Sequence, residues 1–255
     1  MTAEEALGRL RAANVPEPGW HLRRLQAAGG DLAVMVERVC EGEPVHRVIG
    51  RREFHGLDLA LGPETLEPRD DTEALVALAA EHAPVDARLL DLGTGTGAVA
   101  LALLVDLPRA TALMTDANAD ALRVARANAE ANGFSDRVRF ALGSWLEPVE
   151  GRFDAIVSNP PYIASATVDA LDPAVRLHDP RLALDGGQDG LDAYRAILAG
   201  AAAHLVPGGF LALEIGYDQL DAVTRLAGRG GWRLEEARRD LGGRDRAVLL
   251  RPQRG

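Results

Sequence analysis

The sequence predicts an α/β protein: a largely parallel sheet of seven strands covered by helices, with a small helical piece in front of it. Three observations predict this. From about residue 70 onward, apolar runs of strand length alternate with segments of helical length. A turn containing three glycines joins an early strand directly to the next helix. Residues 1–43, by contrast, read as helices with short breaks. The chain has 255 residues, 47% of them apolar and 26% charged, enough for one large domain and a small one. Aromatic residues make up only 4%, so packing falls to Ala, Leu, Val and Gly, which suits close helix–sheet contact.

In chain order, helices are expected at residues 3–12, 21–28 and 31–40. The first is ended by the Asn14-Val15-Pro16-Glu17-Pro18 stretch, and Gly29-Gly30 separates the other two. Residues 44–63 change character: Leu57, Leu59 and Leu61 alternate with period two and predict a short hairpin. Next come a helix at 71–81, a strand at 88–92, a helix at 98–104, a strand at 111–115 and a helix at 119–132. Strands at 138–142 and 153–158, a helix at 192–204, a strand at 210–215 and a helix at 219–227 follow. Two last strands, 232–237 and 246–250, have no helix between them. A turn at 240–245 is therefore expected to join them, with the final strand antiparallel.

The formal net charge is -10, from 28 basic and 38 acidic residues, which argues against indiscriminate nucleic-acid binding. Cys40 is the only cysteine, so no internal disulfide and no cysteine metal cluster can form. The six histidines are scattered, and no metal site is expected. Met1 to Glu5 lacks the basic start of a secretory leader, and no apolar run could span a bilayer, so a cytoplasmic protein without membrane contact is expected.

The sharpest local signal is Leu89-Leu90-Asp91-Leu92-Gly93-Thr94-Gly95-Thr96-Gly97-Ala98. Glycines let the backbone turn tightly and approach a ligand, and the helix that follows offers free N–H groups. The spacing G-x-G-x-G lacks the G-x-G-x-x-G fingerprint of dinucleotide sites. Asp91 would repel a pyrophosphate but attract the cationic sulfonium or ammonium of S-adenosylmethionine. Asp116, at the end of the next strand, can accept both ribose hydroxyls. Gly143-Ser144-Trp145 follows the third strand, where Trp145 either stacks on adenine or simply packs.

Asn159-Pro160-Pro161-Tyr162 stands directly after the fourth strand of the sheet, at the ligand-facing edge. Successive prolines stiffen the backbone and present carbonyls without competing donors. The Asn159 side-chain oxygen and the Pro160 carbonyl can accept the two hydrogens of a planar –NH2 group. Its nitrogen lone pair is delocalised, so holding one face toward a methyl donor is the catalytic need. Tyr162 can close over the flat group. The nitrogen becomes acidic once methylated, so no strong base is required.

Together, residues 91–97 and 159–162 resemble the amino-group methyltransferases that use S-adenosylmethionine. Leu66-Glu67-Pro68-Arg69-Asp70-Asp71-Thr72-Glu73 looks like the L-x-P-R-x-[DE]-T-E segment of one family among them, the peptide chain release factor glutamine methyltransferases. Residues 44–56, 184–191, 213–216 and 240–246 resemble further segments of that family, so the likeness covers roughly residues 40–255. It implies a Rossmann-like seven-stranded methyltransferase sheet with a helical N-terminal domain. The expected division is a helical substrate-docking domain at 1–43, a hairpin linker at 44–63 and the methyltransferase domain at 64–255.

The implied reaction is N5-methylation of the glutamine in the Gly-Gly-Gln motif of bacterial release factors 1 and 2, by a monomer and without nucleic acid. Asp91, Gly93, Thr94, Gly95, Thr96, Gly97, Asp116, Ser144, Trp145 and Asn159 would bind the cofactor. Asn159, Pro160, Pro161 and Tyr162 would hold the glutamine, and Arg69 would lie near the mouth. The N-terminal piece is shorter than the family's by roughly twenty residues. Ser144 stands where an aspartate is common, Asp179 where a glutamate is, and Glu67 where the family is usually apolar.

The same acceptor geometry would serve an adenine amine in RNA or DNA, or a glutamine of a ribosomal protein. Net charge -10 weighs against the first, and the form of residues 66–73 against the second. A non-enzymatic protein that keeps the fold should have lost Asn159 or a loop glycine, and all are present.

Overall fold

The computed structural model describes residues 1–253. Three helices open the chain: α1 (Ala3–Ala12), α2 (Pro18–Ala28) and α3 (Leu32–Cys40). Thr2 and Glu5 form a reciprocal capping box at the start of α1, a proline occupies the first turn of α2, and Asp31 caps α3. A fourth helix, α4 (Val45–Ile49), was not expected from the sequence. Its five residues are too few to show a helical period. Val45 and Val48 join Ala6, Leu10, Leu22, Leu25, Val36 and Val39 in one small core, so the helical unit runs past residue 43.

The hairpin β1 (Arg51–Phe54) and β2 (Leu57–Ala60) is present as expected and pairs with itself alone. Its Phe54, Leu57 and Leu59 belong to the core of the larger unit. The expected linker is thus divided, half to each core.

The larger unit contains α5 (Glu73–His82), β3 (Arg88–Leu92), α6 (Ala98–Asp106), β4 (Thr111–Asp116), α7 (Ala119–Ala131), β5 (Val138–Leu142) and β6 (Phe153–Ser158). Then follow α8 (Ser165–Val168), α9 (Pro173–Arg176), α10 (Asp192–Gly200), β7 (Leu205–Glu214), α11 (Leu220–Arg229), β8 (Trp232–Arg239) and β9 (Asp245–Pro252). The seven-stranded sheet has the order β5-β4-β3-β6-β7-β9-β8. Its first five strands are parallel, and β9 runs antiparallel to both β7 and β8, as the missing helix before it required. Helices α5, α6 and α7 cover one face, and α10 and α11 the other, giving two cores separated by the sheet. The chain runs from β3 outward to β5, then returns to β6 on the other side of β3. That reversal opens a crevice at the carboxyl ends of β3 and β6.

Buried polar groups tie the pieces together. Asn128 of α7 accepts from Ala60 N at 2.8 Å and donates to Ala60 O at 3.1 Å and Thr96 O at 2.9 Å. One amide thereby fastens the hairpin to the glycine turn. Asp179, with 3% of its side chain exposed, pairs with Arg47 of α4 and, at 2.5 Å, with Arg69. Arg47 also donates to the carbonyls of Gly62 and Thr65 at 2.8 and 2.6 Å.

Glu67 lies between His46 at 2.9 Å and Arg52 at 2.5 Å, which explains a charge where an apolar side chain would otherwise serve. Burial pushes its carboxyl up, but the hydrogen bonds from His46 and Arg52 outweigh this and lower it to about 2. A depressed folded-state value contributes stability that is full above the unfolded value near 4.5 and is lost as pH falls toward 2. The contribution is about 3 kcal/mol. Urea unfolding at pH 6 should show Glu67→Gln less stable than the parent, and the gap should close by pH 2. A gap independent of pH would contradict the ion-pair assignment.

Candidate active site

A cavity of about 450 Å³ lies at the crevice, within the range of small-molecule sites. Segments after four successive strands of the sheet line it: Gly93 and Gly95 after β3, Asp116 to Asn118 at β4, Gly143 to Trp145 after β5, Asn159 and Pro161 after β6. Glu64, Leu66 and the loop around Gly186 and Gly187 close the other side.

The three glycines of the turn all have positive φ, of 69°, 55° and 87°. At Gly97 the φ of 87° would strain any other residue, and a Cβ would also crowd the end of the Met114 side chain at 2.7 Å. Thr94, Thr96 and Gly97 shape the turn and do not line the cavity.

Asp91 departs from expectation in the same way. It is 1% exposed and absent from the lining, with Oδ2 accepting from the Thr94 hydroxyl at 2.5 Å. Burial pushes its carboxyl up to about 7, against the hydrogen bonds from Thr94 and the Ala100 N–H. Its place before the glycines suggests a charge that could attract the cationic end of the cofactor. The fold makes it a buried brace under the turn.

Asp116 does line the cavity. Its Oδ2 accepts from Gly95 N at 3.0 Å and its Oδ1 from Asn118 N at 2.9 Å. Two backbone donors fix the carboxylate plane and leave lone pairs for a vicinal diol. Trp145 has φ 47°, a left-handed conformation rare for a bulky residue. It leans over Gly93, where a Cβ would stand 3.6 Å from its ring, and it packs on the second core. Ser144 is exposed beside it on the cavity wall. A diol acceptor, a ring wall and side-chain-free backbone fit a nucleoside with a short polar tail, so the residues present suit S-adenosylmethionine.

At the acceptor end, the only side-chain hydrogen bond of Asn159 among the described residues runs from Nδ2 to Thr72 Oγ1, at 3.2 Å. Pro160 is buried between the lining residues Asn159 and Pro161, and its carbonyl accepts no hydrogen bond among the described residues. The Tyr162 hydroxyl turns away into the protein and donates to Glu214 Oε1 at 3.2 Å. Its ring packs against the second core and Tyr162 does not line the cavity, while burial raises the hydroxyl further, keeping it neutral. Gln219 Nε2 donates to Tyr162 O at 2.9 Å and fixes the main chain there.

Arg69 does not line the cavity; Asp179 holds it at the junction with the helical unit. Sequence reasoning assigned no role to Thr72, Glu214 or Gln219, or to the Asp185-Gly186-Gly187 wall. The glycines of that wall were the available signal. A Cβ on Gly186 would stand 2.8 Å from Pro161 O, and one on Gly190 2.4 Å from Tyr162 O.

Residues 70–175 match the family model described as methyltransferase small domain. The release factor glutamine methyltransferase of Agrobacterium fabrum is 52% identical over 226 residues, covering 86% of this chain and 78% of its own. That of Moorella thermoacetica is 43% identical over 98% of both. The chain belongs to the release factor glutamine methyltransferase family. Among solved structures, a methyltransferase from Pyrococcus furiosus superposes with a TM-score of 0.60 at 22% identity, over 76% of this chain and 88% of that one. A ribosomal protein L11 methylase from Lactobacillus delbrueckii gives 0.56 at 21%, over 75% and 82%. At such identities these show the shared methyltransferase fold alone. The Moorella thermoacetica relative matches 98% of the chain, so the helical unit and hairpin fall within that likeness too.

Proposed function

We propose that this chain transfers a methyl group from S-adenosylmethionine to the side-chain nitrogen of the glutamine in the Gly-Gly-Gln motif of release factors 1 and 2. The single observation that carries this reading is the juxtaposition, in one cavity, of the Asp116 diol site and the Asn159 amide. The bound cofactor supplies an electrophilic methyl group on a sulfonium.

The chain's residues bind and orient. Asp116 holds the ribose end, Gly93 and Gly95 admit close backbone approach, and Trp145 and Ser144 wall the adenine end. Asn159 Oδ1 and the Pro160 carbonyl receive the two hydrogens of the glutamine amide, so that one face of the flat nitrogen is presented. Among the described residues no histidine lines the cavity, in keeping with a nitrogen that sheds its proton readily after transfer. The helical unit, residues 1 to about 49, supplies the docking surface for the rest of the factor, and the enzyme acts as a monomer in the cytoplasm.

Incubation with purified release factors and methyl-labelled cofactor, followed by peptide mapping, tests the reading. Label on the Gly-Gly-Gln glutamine is expected; label on RNA, or on ribosomal protein alone, would overturn it. For the cofactor end, Asp116→Ala should raise the calorimetric Kd for S-adenosylmethionine by roughly 10–100-fold, the loss of one or two charge-assisted hydrogen bonds. Unchanged affinity would contradict the ribose assignment.

A further inference from the structure

The Asn159 amide has two ends of nearly equal shape, and only one of them can accept from a substrate –NH2. What decides which end faces the cavity is the partner of the other end, the Thr72 hydroxyl. A hydroxyl has a single proton. Where that proton is given elsewhere, Thr72 Oγ1 must accept, and Asn159 must turn Nδ2 toward it and Oδ1 toward the substrate. Where it is not, the amide is free to invert.

Glu214 stands where that proton would go. It ends β7, is 1% exposed, and the Thr72 hydroxyl lies beside its carboxyl. Oε1 accepts from Tyr162, while Oε2 is buried with no hydrogen-bond partner among the described residues. A buried acceptor left unpaired is costly, and the Thr72 O–H is a donor within this cluster that can relieve it.

We propose that Glu214 and Thr72 are positioning residues that polarise the Asn159 amide: Glu214 accepts a hydrogen bond from the Thr72 hydroxyl, Thr72 accepts from Asn159 Nδ2, and Oδ1 is thereby committed to the glutamine. This rests on the reading of Asn159 as the acceptor holder and extends it to two residues that do not line the cavity. Charge adds a second effect, because a carboxylate behind the site favours the positive charge that develops on the attacking nitrogen.

The arrangement makes the site sensitive to pH. Burial pushes Glu214 up to about 7, against Thr72, Arg246 and Tyr162, which lower it, while Asp71 raises it further. Arg246 in turn is shared with Asp71 and Asp240, each at 3.1 Å, and the Tyr194 hydroxyl bonds the Glu214 carbonyl at 3.0 Å. Above about 7 the carboxylate can only accept, and Thr72 is the hydroxyl placed to donate to it. Below it, a protonated Glu214 can itself donate to Thr72, which frees the Thr72 proton for Asn159 and favours the inverted amide.

Glu214→Gln keeps the shape but turns the acceptor into a donor. It should lower kcat on the release factor on the order of 10²-fold, the cost of a misoriented acceptor, with the Kd for S-adenosylmethionine unchanged. Thr72→Val should do the same, and Thr72→Ser should restore most of the rate. A readout independent of transfer is the side-chain amide nitrogen resonance of Asn159. It should titrate near neutral pH in the parent and lose that titration in Glu214→Gln. Full kcat in Glu214→Gln and Thr72→Val, or an Asn159 resonance indifferent to pH and to both substitutions, would overturn the relay. A parent enzyme that methylates some other acceptor would overturn the proposed substrate, while the resonance would still decide on Glu214 and Thr72.

Discussion

Asn159→Ala should reduce methyl transfer to the release factor by about 10²–10³-fold in kcat, the usual cost of deleting one preorganised polar group aimed at a reacting centre. Cofactor affinity should change little. Asn159 lines the cavity shared by both ligands, but the groups fitted to the nucleoside lie elsewhere, at Asp116, Trp145 and the glycine turn. The substitution removes the Oδ1 acceptor and also the donor to Thr72. The substrate amide then keeps the Pro160 carbonyl alone and can rotate out of line. Single-turnover transfer, alongside calorimetric titration of the cofactor, separates the two effects. Near-normal transfer would remove Asn159 from the chemistry, and an equal loss in both measurements would make it a cofactor residue.

Asp179→Ala should cost about 3–5 kcal/mol of folding stability, the penalty for leaving a buried ion without its partner. The side chain of Arg47 is only 6% exposed, and the two carbonyls that it also meets cannot neutralise its charge. In a chain of this size the melting temperature should fall by on the order of 10 °C. Replacing both ions, with Arg47→Met and Asp179→Leu together, should recover much of the loss, because the desolvation penalty disappears with the charges. A double variant no better than Asp179→Ala would mean that specific geometry, rather than unpaired charge, sets the cost. Arg69 loses its anchor in either variant, so a drop in transfer at intact folding would show that its placement matters to the acceptor side.

The sheet was legible because its strands are short apolar runs bounded by turn residues. Runs such as 88–92 and 153–158 coincide with β3 and β6. The α4 helix was hidden by its length. Between residues 164 and 183 the chain makes only brief helical turns, Ser165–Val168, Pro173–Arg176 and Arg181–Ala183, with no period to read. The cavity wall was half legible. Glycines and the Asn159-Pro160-Pro161-Tyr162 run show themselves as local patterns, and both segments lie at the crevice. What lies behind them does not show. Asn159 meets Thr72 across 87 residues of chain and Tyr162 meets Glu214 across 52, distances at which no spacing rule operates. Asp91 shows the converse: an acid conspicuous in a motif carries no mark in the sequence of the burial that the fold gives it.

The position of β9 bears on how the molecule is made. Strand β8 has a single neighbour in the sheet, and that neighbour comes later in the chain. During synthesis, residues 232–239 emerge with nothing to pair with, and β7 waits with one side open. Both edges stay adhesive until 245–252 leave the ribosome and slide between them. A nascent molecule stalled before that point would hold its nucleoside crevice complete in sequence while the sheet beside it remained unfinished.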